Sequence, residues 1–519
     1  MSSGDQYYPP KIHQPASYVI FKDGNQYKAQ NGNTEAIDFQ GTDASTVIQA
    51  TVNAINATGT AAIGAPGSIF IKRLPGTASY VMTTKITGIY PGIFIYSDGA
   101  NLDVTAINDT VFYFGDDARD MTTYTNRAAP TMTGLSGFRV VGAQANTSTK
   151  LVTASNISED LFFEKLKLRY VNNGIEIRGA SYMPTIRDCN SEAQTGTFIK
   201  LTALNVLGYT PDGAVIDHCE TSGGSSTAGS IAVEIVESDS DVCENPYITN
   251  CWFENVETGI YSQAQWLHVS NCVLAQSAFA NGVGIHIKTG TFALSGEKAM
   301  ITNNYITGGS SGYCIQIEGA YLIGNIHGNI LAAAAYGIYS NISEFDFSIT
   351  GNVFTTVNGI HGKPTRSSIT GNTFICTTNG INCSAASSYN AIVGNVFDDM
   401  TATIAGALQY SIMSDNIFTG AVSITVGGNN IIRNNRGYFT EKDGTATILS
   451  GTSSIAVNLS GLLLNINGSP STVIVSVNTS GYGDRFYYPS NYNSGSFTIY
   501  TPNNTSANVL LSYSAKYIS

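Results

Sequence analysis

Residues 349–354, Ile-Thr-Gly-Asn-Val-Phe, return 20 residues later as residues 369–374, Ile-Thr-Gly-Asn-Thr-Phe. Related phrases, most of them with an Ile or Val shortly ahead of an Asn or a Cys, recur throughout residues 166–435. The steps between successive Asn or Cys positions range from 19 to 32 residues. A self-similar period of this length is typical of a solenoid, in which each repeat stacks on the one before it.

The Asn or Cys that ends each phrase forms a column when the repeats are aligned. Asn side chains stacked one coil apart can hydrogen-bond to one another, as they do in stacked parallel sheets. The turn preference of Asn would explain Asn at these positions, but it would not explain the Ile or Val ahead of it. We therefore predict an internal structural ladder that consists of Cys189, Cys219, Cys251, Cys272, Asn304, Asn329, Asn352, Asn372, Asn395, Asn416 and Asn435.

A second phrase, Gly-Ile, follows the column in most repeats, as at residues 174–175, 259–260 and 337–338. Each repeat therefore holds two or three short apolar-alternating runs, separated by turns rich in Gly, Asn, Ser and Thr. Such runs predict strands and leave no room for a helix. Leucine-rich repeats are similar in length, but their regular Leu framework is missing. The pattern predicts an all-β fold, a parallel β-helix whose coils bond to each other at a spacing of about 4.8 Å.

Composition and charge exclude several classes of partner. Charged residues make up only 12% of the chain, the formal net charge is −12 and the pI is near 4.9. Because Lys and Arg form no cluster, we expect no nucleic-acid partner. Because no run of about 20 apolar residues occurs, we expect no membrane insertion. The first residues lack a secretory signal, so we expect export by another route, such as inside a virion, or a signal that was removed.

The eight Cys residues do not form a disulfide framework for a chain of this length. Cys189 and Cys219, like Cys251 and Cys272, would lie one coil apart and within bridging distance. We favour reduced, buried thiols that act as small apolar fillers. No Cys-x-x-Cys pair occurs, so a structural zinc site is not expected. We predict no metal and no cofactor.

The N-terminal part of the chain differs from the repeats. Residues 1–41 predict an arm for docking or attachment, followed by a hairpin that turns at Asp23-Gly24. Residues 42–99 predict a helix capped by Thr42 or Asp43, and then the first coils. A helix at this position would cover the open end of the solenoid.

The remaining chain divides into residues 100–440, the parallel β-helix, and residues 441–519, a C-terminal antiparallel β-sandwich. Residues 100–160 have irregular spacing and predict a long loop or insertion. They contain acidic residues whose oxygens could bind Ca²⁺, although a solvated acidic turn is the favoured interpretation. These residues are Asp116, Asp117 and Asp120.

The opening of the chain resembles the pectin-lyase-like right-handed parallel β-helix proteins, among which viral tailspikes and tail fibres are prominent. The resemblance lies in the capped helix, the run Ile69-Phe70-Ile71 and Pro75-Gly76-Thr77 with a Tyr after it. Residues 17–24 and 41–48 resemble β-helix proteins of archaea and their viruses. The resemblance to these β-helix proteins covers about residues 17–435. It implies a virion spike that forms a homotrimer, with the last domain closing the trimer or contacting the host.

The residue after each Ile of the Gly-Ile phrase should face outward, because strand faces alternate. These residues form a stripe of aromatic, carboxylate and amide groups, which suits a sugar chain: apolar ring faces stack on Tyr, and hydroxyls bond to polar groups. Any outward stripe of a β-helix must be polar, however, and a subunit interface could use the same stripe. The predicted glycan-binding residues are Tyr261, His286, Gln316, Glu318, Tyr339 and His361.

Catalysis is an open question at the level of the sequence. Glu176 and Glu234 would lie two coils apart, at about 9–10 Å, near the upper range for an inverting glycosidase. Glu234 with Glu237, and Asp217 with His218, are other possible pairs. The clustered Asp residues and the catalytic Arg of pectate lyases have no counterpart here.

The leading prediction is a virion tail spike or fibre that binds a host surface polysaccharide or glycoprotein and contacts other virion tail proteins. One alternative is a glycoside hydrolase or polysaccharide lyase of the same fold. Another is a cellular surface adhesin or coat protein, located outside the cell or at its surface.

Overall fold

The computed structural model describes the greater part of the chain. Its described residues are 16–60, 64–117, 132–157, 160–204, 210–222, 228–238, 242–290, 297–319, 322–341, 344–398, 402–419, 430–436, 441–449, 452, 454–458, 472–477, 488–493, 496–500 and 509–516. They form two compact units. The first unit comprises Met1–Ser230 and Val236–Glu244, and the second comprises Ile231–Ile235 and Asn245–Ser519.

Where the structure describes a complete coil of the second unit, the coil contains three strands, as in Glu297–Thr302, Tyr305–Thr307 and Tyr313–Glu318. We call them the pre-column strand, the post-column strand and the Gly-Ile strand, after their positions relative to the Asn column. Each strand pairs in parallel with the equivalent strand of the next coil. The predicted parallel β-helix is therefore confirmed, because this pairing repeats from coil to coil.

The strands of each kind in the second unit are as follows. The pre-column strands are Tyr247–Thr249, Leu267–Ser270, Glu297–Thr302, Leu322–His327, Phe345–Thr350, Ser368–Thr370, Ala391–Val393, Ile412–Ser414 and Ile431–Arg433. The post-column strands are Trp252–Glu254, Val273–Ala275, Tyr305–Thr307, Ile330–Ala332, Val353–Thr355, Thr373–Phe374, Val396–Phe397 and Ile417–Phe418. The Gly-Ile strands are Ile231–Val236, Thr258–Ser262, Val283–Lys288, Tyr313–Glu318, Tyr336–Ser340, Asn358–Gly362, Asn379–Ser388 and Ala402–Gln409.

The residue just before the column has a left-handed backbone conformation in each of these coils, with φ between 54° and 66°. Gly, Asn and Asp tolerate this conformation better than other residues, and only they occupy the position. It turns the chain sharply between the pre-column and post-column strands. The residues are Asn250, Asn271, Asn303, Gly328, Gly351, Gly371, Gly394, Asp415 and Asn434.

The column Asn side chains bond to one another through the interior. Asn352 Nδ2 donates to Asn372 Oδ1 at 3.0 Å and to the Ile326 carbonyl at 2.8 Å, and the backbone N–H of Asn352 donates to the same Oδ1 at 2.9 Å. The same three bonds recur at Asn304, Asn329, Asn372, Asn395 and Asn416. Each side chain thus satisfies the polar backbone groups that the sharp turn leaves buried.

A second polar file, absent from the sequence-based predictions, lies at the turn that leads into the pre-column strands. The backbone N–H of Ser367 donates to Asn390 Oδ1 at 2.9 Å, and that of Asn390 donates to Ser411 Oγ at 3.0 Å. The backbone N–H of Ser411 continues the file to Asn430 Oδ1 at 3.0 Å. The core under the post-column strands includes a stack of four rings, Phe354, Phe374, Phe397 and Phe418.

The first unit also contains parallel coils. Its pre-column strands are Leu161–Glu164, Thr185–Arg187 and Val215–Asp217, and its post-column strands are Lys167–Arg169, Asn190–Glu192 and Glu220–Ser222. The strands on the third side are Ile86–Ile89, Thr110–Gly115, Lys150–Ser155, Asn173–Arg178 and Thr197–Thr202. A separate pair is formed by Ser181–Tyr182 and Pro211–Asp212.

Residues 100–160 are not the long loop or insertion that their spacing predicts. Within the described residues, the long strands Ile93–Asp103 and Thr133–Val141 pair in parallel with each other. Lys150–Ser155 pairs with Thr110–Gly115 on one side and Asn173–Arg178 on the other. The repeat was missed because these long strands carry no column residue.

The described part of the chain starts with strands Tyr18–Asp23, Gln26–Asn31 and Ile37–Gly41, followed by the helix Ala44–Asn56. Asp43 caps the helix, since its carboxylate accepts the Thr46 backbone N–H at 2.9 Å. The buried helix face consists largely of Val47, Ile48, Thr51, Val52 and Ile55. The remaining strands of this region are Gly67–Ile71 and Ser79–Val81.

Tyr18–Asp23 forms the predicted hairpin with Gln26–Asn31 and also pairs in parallel with Gly67–Ile71. The hairpin is therefore joined to the coils of the first unit. The proposed arm before it lies outside the described residues.

Beyond the coils, the described C-terminal strands form two antiparallel sheets of three strands. One contains Glu441–Ile448, Val509–Lys516 and Thr472–Val477, and the other contains Ser454–Asn458, Ser496–Tyr500 and Tyr488–Asn493. The Phe497 ring meets the Tyr513 ring edge-on at 5.4 Å. These are the strand positions that the sequence indicates, and their assembly into a sandwich stays a prediction.

All eight Cys residues are buried free thiols. Burial raises the pKa of the Cys314 thiol to about 12 and the pKa values of Cys376 and Cys383 to about 11. Cys272 lies next to the first Asn of the column, because its backbone N–H donates to Asn304 Oδ1 at 2.8 Å. The three thiols with raised pKa values are neutral at pH 7 and agree with the predicted role of small apolar fillers.

We predict that Asn372→Ala lowers the free energy of unfolding by about 3 kcal/mol, because it leaves buried donors and acceptors in two coils without partners. Asn372→Cys should lose less, since a thiol is a weak donor and acceptor of similar size. Urea unfolding followed by circular dichroism measures both. The control is Asn341→Ala at an exposed position. A loss for Asn372→Ala no larger than that of the control would contradict the ladder's structural role.

Candidate functional site

Side chains along the Gly-Ile strands do not alternate strictly between the inner and the outer face. The exception lies at the Gly-Ile phrase, and it determines which side chains face outward. In Tyr313–Glu318, both Cys314 and Ile315 are buried, whereas Tyr313, Gln316 and Glu318 are partly exposed. The residue before the Ile therefore points into the core. Gly fits there because space is short: a Cβ on Gly337 would lie 2.5 Å from the Phe354 ring.

The outward residues of the Gly-Ile strands lie in register from coil to coil. Tyr261 pairs with His286, His286 with Gln316, Gln316 with Tyr339, and Tyr339 with His361. The structure thus brings together five of the six residues that the sequence indicates for glycan binding. The sixth, Glu318, lies two residues beyond Gln316 and opposite Lys288.

Four aromatic side chains form one cluster on this stripe, which we call the ring cluster: Tyr313, Tyr336, Tyr339 and His361. The rings of Tyr339 and His361 are almost parallel, with centroids 5.3 Å apart, and those of Tyr313 and Tyr339 are 4.7 Å apart. Tyr336 contacts the other three rings at 5.2–5.7 Å. Sequence reasoning missed Tyr313 and Tyr336, because strict alternation would have placed them on the inner face.

A polar group lies beside the ring cluster. His286 Nε2 lies 3.1 Å from Glu318 Oε2, although outside hydrogen-bonding geometry. Gln316 Nε2 donates to the other oxygen of Glu318 at 2.6 Å. The Tyr261 ring meets the His286 ring edge-on at 5.1 Å. Glu318 is thus held between an imidazole and an amide, with part of its surface exposed.

Burial sets the protonation of this stripe. It lowers the pKa of His286, an effect that the Glu318 carboxylate opposes, and it lowers the pKa of His361. Both imidazoles are therefore neutral at pH 7, and each can donate one hydrogen bond and accept another. Burial, with smaller effects of Tyr339 and Tyr336, raises the pKa of the Tyr313 hydroxyl.

The first unit carries a charged network that sequence reasoning also missed in part. The Lys150 ammonium donates to Glu176, whose side chain is nearly buried. Arg178 Nη2 donates to Tyr113 Oη at 3.0 Å and to Asp117 Oδ2 at 2.7 Å. Lys150 and Tyr113 lie on strands within the predicted loop region, so their contacts with Glu176 and Arg178, respectively, were not predicted.

The other predicted groups lie as follows. Glu176 belongs to the first unit and Glu234 to the second, so their catalytic pairing stays a prediction. His218 Nδ1 lies 2.9 Å from Asp217 Oδ2, and the imidazole is more than half exposed. Asp117 bonds to Arg178 and Ser155, which favours a structural role over a calcium ligand; Asp120 lies outside the described residues.

Two further limits hold for the described residues. None of the described His, Cys, Asp and Glu residues form a group of three or more that could hold a metal ion. In the same part of the chain, no helix has the length and apolar character needed to cross a membrane.

Comparison with known proteins agrees with the fold. Residues 221–411, less than half of the chain, match the family described as "Periplasmic copper-binding protein (NosD)". No curated protein sequence matches significantly. The parallel β-helix itself is confirmed by the strand pairing within this chain.

Several solved structures are similar to this chain. A tailspike protein mutant of E. coli bacteriophage HK620 in complex with pentasaccharide is 10% identical, covers 92% of this chain and 90% of its own, and has a TM-score of 0.48. Tailspike protein 3 of bacteriophage CBA120 is 14% identical, covers 79% and 65%, and scores 0.47. The A-module of the Azotobacter vinelandii mannuronan C-5 epimerase AlgE6 is 12% identical, covers 76% and 95%, and scores 0.45. Similarity at this level concerns the fold and does not bear on activity.

The residues in the matched segment do not fit a copper site. Copper prefers thiolate and imidazole ligands that converge on one point. The described thiols there are buried, and Cys314, Cys376 and Cys383 have raised pKa values, which disfavours the thiolate. No cluster of ligands forms among the described residues.

We predict that the protein loses stability as the pH falls from 6.5 to 5. His268, His286 and His361 have pKa values below 6.5 in the folded protein, so the unfolded chain binds protons more readily in this range and the free energy of unfolding decreases. Carboxyl groups titrate mainly at lower pH. Urea unfolding at several pH values measures the slope. His361→Gln should make it shallower, and an unchanged slope in that variant would contradict the assignment.

Proposed function

We propose that this protein is a virion tail spike or fibre that recognises a host surface glycan, as a polysaccharide or the sugar of a glycoprotein, through the outward stripe of its second unit. The observation that carries the proposal is the ring cluster beside the group formed by His286, Gln316 and Glu318. An aromatic surface next to fixed polar groups is the combination that sugars require: rings contact their C–H faces, and polar groups bind their hydroxyls.

The ring cluster has unused hydrogen-bonding capacity. The hydroxyls of Tyr313, Tyr336 and Tyr339 make no side-chain bond to any described residue. His361 Nδ1 also has no hydrogen-bond partner among the described residues, but this atom is buried, so the phenol hydroxyls are the groups considered for a ligand. All four side chains are partly exposed. Phenol hydroxyls both donate and accept hydrogen bonds. The cluster therefore offers an apolar surface together with groups that a sugar hydroxyl can bond.

The length and charge of the stripe narrow the class of glycan. Tyr261 and His361 lie four coils apart, which corresponds to about 19 Å and gives space for several sugar units in a row. The imidazoles of His286 and His361 are neutral at pH 7. The Lys288 and Glu318 side chains carry opposite charges. The stripe thus lacks the excess of positive charge that a strongly anionic polysaccharide would favour, and a neutral glycan fits it better.

The location in a virion, the homotrimer and the contact with other tail proteins belong to the same proposal. Their support is the resemblance of the chain's opening to viral tailspikes and tail fibres, carried by Ile69-Phe70-Ile71 and Pro75-Gly76-Thr77. Mass spectrometry of purified particles, compared with the cell envelope fraction, separates this location from that of a cellular adhesin. Recovery of the chain only in the envelope would favour the adhesin.

We predict that Tyr339→Ala weakens binding to a host envelope polysaccharide about tenfold, because the central ring of the cluster is lost. Calorimetric titration with size-fractionated oligosaccharides measures the dissociation constant. Tyr410→Ala is the matched control, because Tyr410 is 51% exposed and stacks on Tyr389 outside the stripe. Equal losses in the two variants, or binding that neither variant affects, would overturn the assignment of the stripe.

Incubation of the same polysaccharide with the wild-type protein tests the enzymatic alternative. A hydrolase releases reducing ends, and a lyase releases products with an unsaturated bond. If product forms, Glu176→Gln and Glu234→Gln should each reduce its rate by at least a hundredfold under the predicted carboxylate mechanism. Product formation that survives both substitutions would eliminate this pair, and binding without product favours the spike.

A further inference from the structure

The post-column strands of the second unit carry a continuous row of apolar side chains on their outer face, which we call the apolar row. Its members lie in register, each paired with the equivalent residue of the next coil. The polar atoms of its side chains belong to Trp252, Tyr305 and Thr373. The row consists of Trp252, Val273, Tyr305, Ile330, Val353, Thr373, Val396 and Ile417.

The apolar row is accessible to solvent. Trp252 is 51% exposed, Ile330 45%, Tyr305 43% and Ile417 37%. Large apolar residues scattered singly on a surface are normal, whereas a contiguous file of them marks an interaction site. The adjacent outward residues are small or uncharged through several coils, as at Ala275, Ala332 and Thr355.

Chemistry excludes the glycan as the occupant of this face. Apart from Trp252 and Tyr305 the row is aliphatic or Thr, and its middle coils carry few groups that could bond sugar hydroxyls. Ile330, Val353 and Val396 instead resemble the residues that interdigitate between packed sheets. We propose that the apolar row is the face through which copies of this chain assemble into a closed homo-oligomer.

The spacing of the row favours a second copy over an unrelated partner. Branched side chains at intervals of about 4.8 Å form ridges and grooves of constant pitch. A second copy presents ridges of the same pitch, so the two surfaces can interdigitate along their whole length, as the side chains of stacked sheets do. A closed arrangement buries the row in every copy and prevents open-ended association.

The size of the row agrees with an interface core. Seven coil steps extend over about 34 Å, and three strand residues over about 10 Å, so the face measures roughly 340 Å². A standard interface buries about 800 Å² per partner, with an apolar core and a more polar rim. The row supplies the core, and exposed neighbours such as Ile375 and Val357, at 46% and 42% exposure, extend it.

The test is the mass of the intact chain in solution, measured by light scattering after size exclusion. We expect the wild type at a multiple of 54.9 kDa, and three copies if the trimer of the proposed function is correct. The double variant Ile330→Lys with Val353→Lys should be monomeric, because it buries two charges in the contact. Asn341→Lys, at an exposed position outside the row, should keep the wild-type mass. A monomeric wild type, or a double variant of unchanged mass, would overturn the proposal.

A milder pair of variants keeps the test valid if the charged variant does not fold. Ile330→Thr with Val353→Thr preserves the branched shape and should raise the dissociation constant of the oligomer at least tenfold, as measured by dilution. Oligosaccharide titration of the dissociated variant separates the two proposals. If a monomeric variant keeps its affinity for the oligosaccharide, the glycan site does not depend on assembly. If the affinity is lost while the oligomer remains stable, only the proposed glycan site is affected.

Discussion

From Asn304 to Asn435, one column carboxamide per coil resolves the main conflict of this fold. The sharp left-handed turn at the column leaves a backbone N–H and a carbonyl buried without strand partners, and such groups are costly unless they are bonded. Asn352 shows the solution: its Nδ2 donates to the Ile326 carbonyl, while Oδ1 of Asn372 accepts its backbone N–H. The bonds connect successive coils, so they also fix the register of the strands on either side of the turn.

This constraint explains how much of the structure was readable in the sequence. In the second unit the turn has Gly, Asn or Asp before the column and Asn or Cys within it, so the phrase recurs and can be counted. The file of Ser367, Asn390 and Ser411 likewise bonds buried backbone N–H groups, but with both Ser and Asn side chains. Because this composition resembles that of an ordinary turn, the file was not predicted. Long strands such as Thr133–Val141 carry no column residue, so residues 100–160 gave no period to count.

The site was readable only in part for a different reason. Outward positions were deduced from alternation, which correctly placed Gln316, Tyr339 and His361 on one stripe. At the Gly-Ile phrase two consecutive residues face inward, and this shifts Tyr313 and Tyr336 to the outer face, where they complete the ring cluster. The charged contacts of Glu176 depend on strands in the region that was interpreted as a loop. A binding surface built across coils therefore cannot be read from one coil alone.

The contrast between the two outward faces is an argument about function. The interior imposes the same residues on every coil, but the outer faces are free to differ: the Gly-Ile strands carry Tyr, His, Gln and Glu, and the post-column strands carry mainly Val and Ile. Solvation alone would favour polar residues on both faces.

The charged network around Glu176 also differs from a poised catalytic acid, since the Glu176 carboxylate already bonds to Lys150. Proton donation would require that ion pair to break, whereas the ring cluster and the apolar row already expose the side chains that the proposed contacts would use.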